Sequence, residues 1–153
     1  MKSKGKSLLT MMLALTLIVS LFTTPCGAAV NVESSTEIED LGNGITMETV
    51  LTVQSDSARS STKSASLTRT YKNNGTQIAV ITLNANFVYD GTTSRATYAS
   101  YSKNISSGWT YANHSLTRSG GTAKLTANLK KTLINVPVSM SITCSPSGVV
   151  SKT

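Results

Sequence analysis

The chain has 153 residues, 14 lysines and arginines against seven acids, and two cysteines. Only 14% of it is charged, well below the roughly 25% of an ordinary globular domain. That length supports one domain with its own core, and two cysteines exclude a small disulfide-stapled scaffold.

The first element is an export signal. Lys2, Lys4 and Lys6 precede an apolar run from Leu8 to Phe22, and small residues follow Pro25. This layout is that of a cleaved secretory signal peptide over residues 1–29, with cleavage near Ala28 or Ala29. The run is short of the roughly 20 residues a membrane anchor needs. Thr23-Thr24-Pro25 before Cys26 does not suit lipid attachment, so Cys26 leaves with the signal and Cys144 remains alone. No disulfide is expected.

Charge divides the remainder. Residues 30–56 carry six acids and no base, whereas residues 57–153 carry eleven bases and one acid, Asp90. Residues 30–44 read as an acidic flexible arm, able to fold back on the basic body. A body of that sign would attract anionic polymers in a salt-sensitive way.

From Ile45 onward the hydrophobic period is two. Ile45, Met47, Leu51 and Val53 share one face of a strand, and a second strand spans residues 61–72 and stops at Asn73-Asn74-Gly75. The third, residues 77–89, places Ala79, Ile81, Leu83, Ala85, Phe87 and Tyr89 on one side. Ile78, Val80 and Val88 lie on the other, which predicts a central strand covered on both faces for part of its length. Asp90-Gly91 predicts a hairpin turn, because glycine reaches positive φ without steric cost.

Two further strands follow, SRATYASYSKNI and WTYANHSLTR, and then TAKLTANLKK with Ala123, Leu125, Ala127 and Leu129 inward. The last, VPVSMSITCS, carries Val136, Val138, Met140, Ile142 and Cys144 on one face, so Cys144 reads as an inert core thiol. Pro137 cannot donate to a ladder and marks an edge or a kink. The fold expected for residues 45–153 is an all-β antiparallel β-sandwich, immunoglobulin-like or related, with seven to eight strands.

LGNGITMETVLTV, ARSSTKSAS, TLNANFVYDGTTS, Trp109 and the closing TCSPSGVVS are spread over almost the whole of residues 30–153. In these features the chain resembles a family of small exported proteins of Gram-positive, often gut-dwelling bacteria, classed as a domain of unknown function. Its version of the closing motif tends to have asparagine where Ser147 stands. The resemblance implies export and a β-rich domain, and carries no catalytic residues.

Catalytic patterns are scarce. His114 is the only histidine, no G-x-S-x-G elbow or phosphate-binding loop is present, and one histidine with one cysteine cannot make a four-ligand zinc site. No enzyme activity, cofactor or metal is expected. Six of the seven aromatics beyond the signal lie between Phe87 and Tyr111. Tyrosine and tryptophan offer a flat apolar face with a polar tip, which suits sugars or a protein surface. The candidate binding residues are Tyr101, Trp109, Tyr111, Lys124 and Lys130.

The function expected is that of a secreted, non-catalytic binding or structural module. Its partner would be an anionic cell-wall polymer, a glycan or an extracellular protein, with no nucleic acid. The alternative is a cationic, bacteriocin-like effector.

Overall fold

The computed structural model describes residues 31–55 and 61–153, and the signal segment with its cleavage site near Ala28 and Ala29 lies outside them. The described residues form nine strands: β1 (Asn31–Gly42), β2 (Ile45–Ser55), β3 (Thr62–Asn73), β4 (Thr76–Tyr89), β5 (Ser94–Ile105), β6 (Thr110–Ser119), β7 (Thr122–Lys131), β8 (Ile134–Cys144) and β9 (Val150–Lys152). Two antiparallel sheets result, ordered β1-β2-β3-β4-β5 and β6-β7-β8-β9. The expected sandwich is present, with β1 and β9 added to the strands foreseen. Neighbours in each sheet are consecutive in the chain, so the order is that of two meanders rather than the Greek key of an immunoglobulin domain. No helix among the described residues is long and apolar enough to cross a membrane.

Period-two patterning decides which face turns inward. β2, β7 and β8 alternate buried and uncovered residues almost without exception, as strands with one covered face must. β3 and β4 lie over β8, and β5 lies over β6 and β7. Leu67, Ile81, Leu83, Leu125, Leu129 and Met140 are fully enclosed between the layers. Each such aliphatic side chain contributes about 1.5–3 kcal/mol by leaving water. Cys144 ends the β8 stripe at 1% exposure, and burial pushes its thiol pKa up.

The exposed edges are blunted chemically. Ser141 exchanges both backbone hydrogen bonds with Thr153, at 2.7 and 3.1 Å, so the odd-numbered residues of β8 aim their backbone groups at its open side. Along that side Pro137 has no N–H to offer, and the Ser139 carbonyl accepts a hydrogen bond from the Arg69 guanidinium. Arg69 sits on the inner face of β3, opposite Thr49 and Ile81. Arg118 does the reverse, reaching from β6 to the Thr97 carbonyl of β5. Each sheet therefore sends one arginine to cap a free carbonyl of the other, which discourages strand addition by foreign chains.

Two expectations are corrected. The segment read as a flexible arm is β1, paired with β2 from Asn31↔Ser55 to Gly42↔Ile45. All twelve of its residues are exposed, so its strand character comes from the ladder alone and leaves no apolar stripe to read. Its acids do meet the basic body: Glu37 bonds Lys152 at 2.5 Å. The second correction concerns β4, which is covered on one face only. Val80 is half-buried and Val88 is 36% exposed, while Ile78 is buried because a bulge between Tyr71 and Lys72 shifts the register there.

Candidate binding surface

His114, the only histidine, lies on a bulge of β6 where Asn113 and His114 together oppose Ala127. Asn113 takes φ 54°, and the extra residue reverses the inside–outside phase of the strand. This lets Tyr111, opposite Leu129, and Leu116, opposite Leu125, both face inward. His114 is exposed and stacks on Tyr111, with ring centroids 5.7 Å apart, and lies 5.5 Å from Tyr101. The Lys103 ammonium rests 4.3 Å over the Tyr111 ring. With these partners engaging it, the Tyr111 ring closes the seam between β5 and β6 rather than offering a platform.

Asp90 is spent on its own turn. Its carboxylate accepts the N–H groups of Thr92 at 2.9 Å and Thr93 at 2.6 Å, and these donors hold its pKa below the usual range. Among the described residues no three of His, Cys, Asp and Glu gather closely enough to hold a metal ion.

Tyr111 has a further property. Its hydroxyl is buried without a hydrogen-bond partner, and burial, with Tyr101 and Tyr71 nearby, pushes its pKa up to about 12. Burial likewise raises Tyr71, against the pull of the Arg69 guanidinium. A folded-state pKa above the unfolded value stabilises the fold below the unfolded pKa and loses that contribution as pH rises through the folded one. Stability should therefore hold to about pH 8, decline gently above it as the thiol of the unfolded chain ionises, and fall most steeply between about pH 10 and 12. In urea titrations across that range Tyr111→Phe should show a shallower fall than the parent. Superimposable profiles would mean that Tyr111 does not drive the alkaline loss.

The five residues nominated from sequence separate. Tyr101 and Tyr111 come together, with ring centroids 6.1 Å apart, but both are half-buried on the inner side. Trp109 is only 9% exposed, with the Lys131 ammonium 5.9 Å from its ring. Lys124 and Lys130 are exposed on the outward face of β7, six residues and so about 20 Å apart.

Among the described residues the other bases form no continuous face, Arg95 standing outward beside Val88 and Lys131 near Trp109. Lys63, Arg69, Lys103, Arg118 and Lys152 are paired with inward residues of their neighbours and emerge at the rims between the layers. Lys72 is paired with Glu48 at 3.6 Å.

On the outer face of the five-stranded sheet, the middle lies between Glu48 and Lys72 at one end and Arg95 at the other, and it carries no charge. Three successive cross-strand rows run over it from β1 to β5. They are Thr36–Val50–Thr68–Thr82–Ser102, Ser34–Thr52–Ser66–Asn84–Ser100 and Val32–Gln54–Ser64–Asn86–Tyr98. None of these fifteen side chains is charged. Thr68 and Thr82 share a hydroxyl–hydroxyl bond of 3.0 Å. A hollow of about 200 Å³ opens among Thr52, Gln54, Ser64, Ser66, Asn84 and Asn86.

Tyr98 borders this face and is 52% exposed. The tyrosine that faces water on β5 is thus Tyr98, not the nominated Tyr101. A bulge between Asn86 and Phe87 sets the register that pairs Tyr98 with outward Asn86 and Tyr101 with inward Leu83. The sequence signal for the surface was the identity of the outward residues of β3 and β4, serine, threonine and asparagine where a solvated sheet usually carries charge.

Compared with known proteins, the chain matches no family model, no curated protein and no solved structure.

Proposed function

We propose that this is a non-catalytic binding module, exported by its N-terminal signal, that takes an uncharged glycan on the outer face of its five-stranded sheet. The observation that carries the reading is the set of three successive cross-strand rows without a charged side chain, with charge returning only beyond them at Glu48 and Lys72 on one side and Arg95 on the other. Hydroxyl and carboxamide groups both donate and accept hydrogen bonds, which is the complement of a sugar hydroxyl. Serine and threonine are short, so ordering them on contact costs little side-chain entropy. An anionic wall polymer finds less support, because no row of bases faces outward together. The membrane-active alternative lacks an apolar outer face to insert.

Retention on chitin, cellulose and wall sacculi stripped of anionic polymer tests the reading. The protein should bind at least one of them and stay bound at about 0.5 M salt, where the screening length is only a few ångströms. Release at that salt would place binding on the charged rims, and retention on none of the three would remove the reading.

A further inference from the structure

The hollow on the outer face owes its shape to a difference in side-chain length. Ser64 and Ser66 on β3 form a low floor, and Gln54 on β2 with Asn84 and Asn86 on β4 rise on either side. At about 200 Å³ it is smaller than the roughly 300–1,000 Å³ of pockets for drug-sized ligands, and it suits one sugar ring. Its walls supply three carboxamides and three hydroxyls, with no group that would select or repel charge.

Tyr98 stands two strands from that floor, a lateral distance of about 10 Å at ordinary strand spacing. It is in direct register with Asn86, and the neighbouring Thr97 hydroxyl donates to the Asn86 carbonyl at 3.2 Å, so wall and ring are tied to one piece of backbone. The exposed Tyr98 ring offers what the hydroxyl and carboxamide walls of the hollow lack, a flat apolar plane for the C–H face of a sugar.

We propose that the hollow and Tyr98 are adjacent subsites for two consecutive residues of an uncharged glycan chain, which crosses β4 between them. One residue is seated over Ser64 and Ser66, held by the Gln54, Asn84 and Asn86 amides. The next lies on the Tyr98 ring. This rests on the glycan reading above, and it adds direction: the chain runs across the strands, and length matters because a single residue reaches only one subsite.

Calorimetric titration with N-acetylglucosamine, glucose and their β-linked trimers and tetramers tests it. The parent should bind the preferred oligomer at least about ten-fold tighter than its monomer. Tyr98→Ala should lose about ten-fold on the oligomer and nothing on the monomer, while Tyr98→Phe keeps the parent affinity. Ser66→Phe fills the hollow and should abolish monomer binding. Both positions face outward, so an unchanged far-UV spectrum and melting point certify the fold of each variant.

Oligomer binding unchanged in both Tyr98→Ala and Ser66→Phe would overturn these subsites and leave glycan binding standing elsewhere on the module. No glycan binding by the parent, including the case where the face captures a protein that Ser66→Phe blocks, would overturn both proposals.

Discussion

Phe87→Ala should destabilise the protein by about 3–5 kcal/mol, against the 5–15 kcal/mol that holds a typical domain together. Phe87 is 1% exposed on β4, and it packs among small residues: Ala85 shares its face and Ala96 pairs with it across the sheet. Alanines have no length to move into the space vacated, so the cavity persists and its full cost is felt. The only cysteine among the described residues is unpaired, so no cross-link limits the loss. Urea unfolding measures it, with Val88→Ala as the control one residue along. Val88 faces outward at 36% exposure and should cost less than about 1 kcal/mol. Equal losses at the two positions would show that β4 does not have one covered face.

The second large effect is at Gly148. The closing motif forms a tight turn in which the Gly148 N–H donates to the Ser145 carbonyl at 2.9 Å and the Ser145 N–H to the Val149 carbonyl at 2.8 Å. The Pro146 carbonyl accepts the Gly91 N–H at 2.9 Å, fastening this turn to the β4–β5 hairpin of the other sheet. Gly148 has φ +82°, and a Cβ there would stand 2.5 Å from the Tyr89 ring.

Gly148→Ala should therefore cost about 2–3 kcal/mol, the backbone strain and the displaced ring together. Gly75→Ala separates the two. Gly75 has nearly the same φ, +79°, with no atom within 4 Å of an added Cβ, and should cost about 1 kcal/mol. If thermal unfolding shifts both variants equally, Tyr89 yields freely and the turn does not clamp the sheets.

Where a strand has one wet face and one dry one, its sequence says so. β2, β7 and β8 were readable to within a residue or two, and the place of Cys144 followed from the β8 stripe. β1 was not, because a strand exposed on both faces leaves no alternation, and its acids suggested solvent rather than a ladder. The rings failed for a different reason. Which of Tyr98 and Tyr101 faces water depends on the register set beside the Asn86/Phe87 bulge, and the inward turn of Tyr111 with Leu116 depends on one extra residue in β6. A bulge changes parity without changing composition, so it is invisible to a period count. The neutral outer face was present in the letters as alternating serine, threonine and asparagine, but its continuity exists only after five strands are placed side by side.

The meander order bears on how the molecule reaches its native state. Within each sheet every strand after the first pairs with the one that precedes it, so no ladder awaits residues still to be made or threaded. Contact order stays low for an all-β protein, which shortens the time that unpaired ribbons spend open to aggregation. Only the docking of one completed sheet on the other is long-range. The final residues serve as its latch, because β9, held to β8 by the Val150–Cys144 and Thr153–Ser141 pairs, sends Lys152 across to Glu37 of the other sheet, so shaving the last four residues should speed unfolding more than it slows folding.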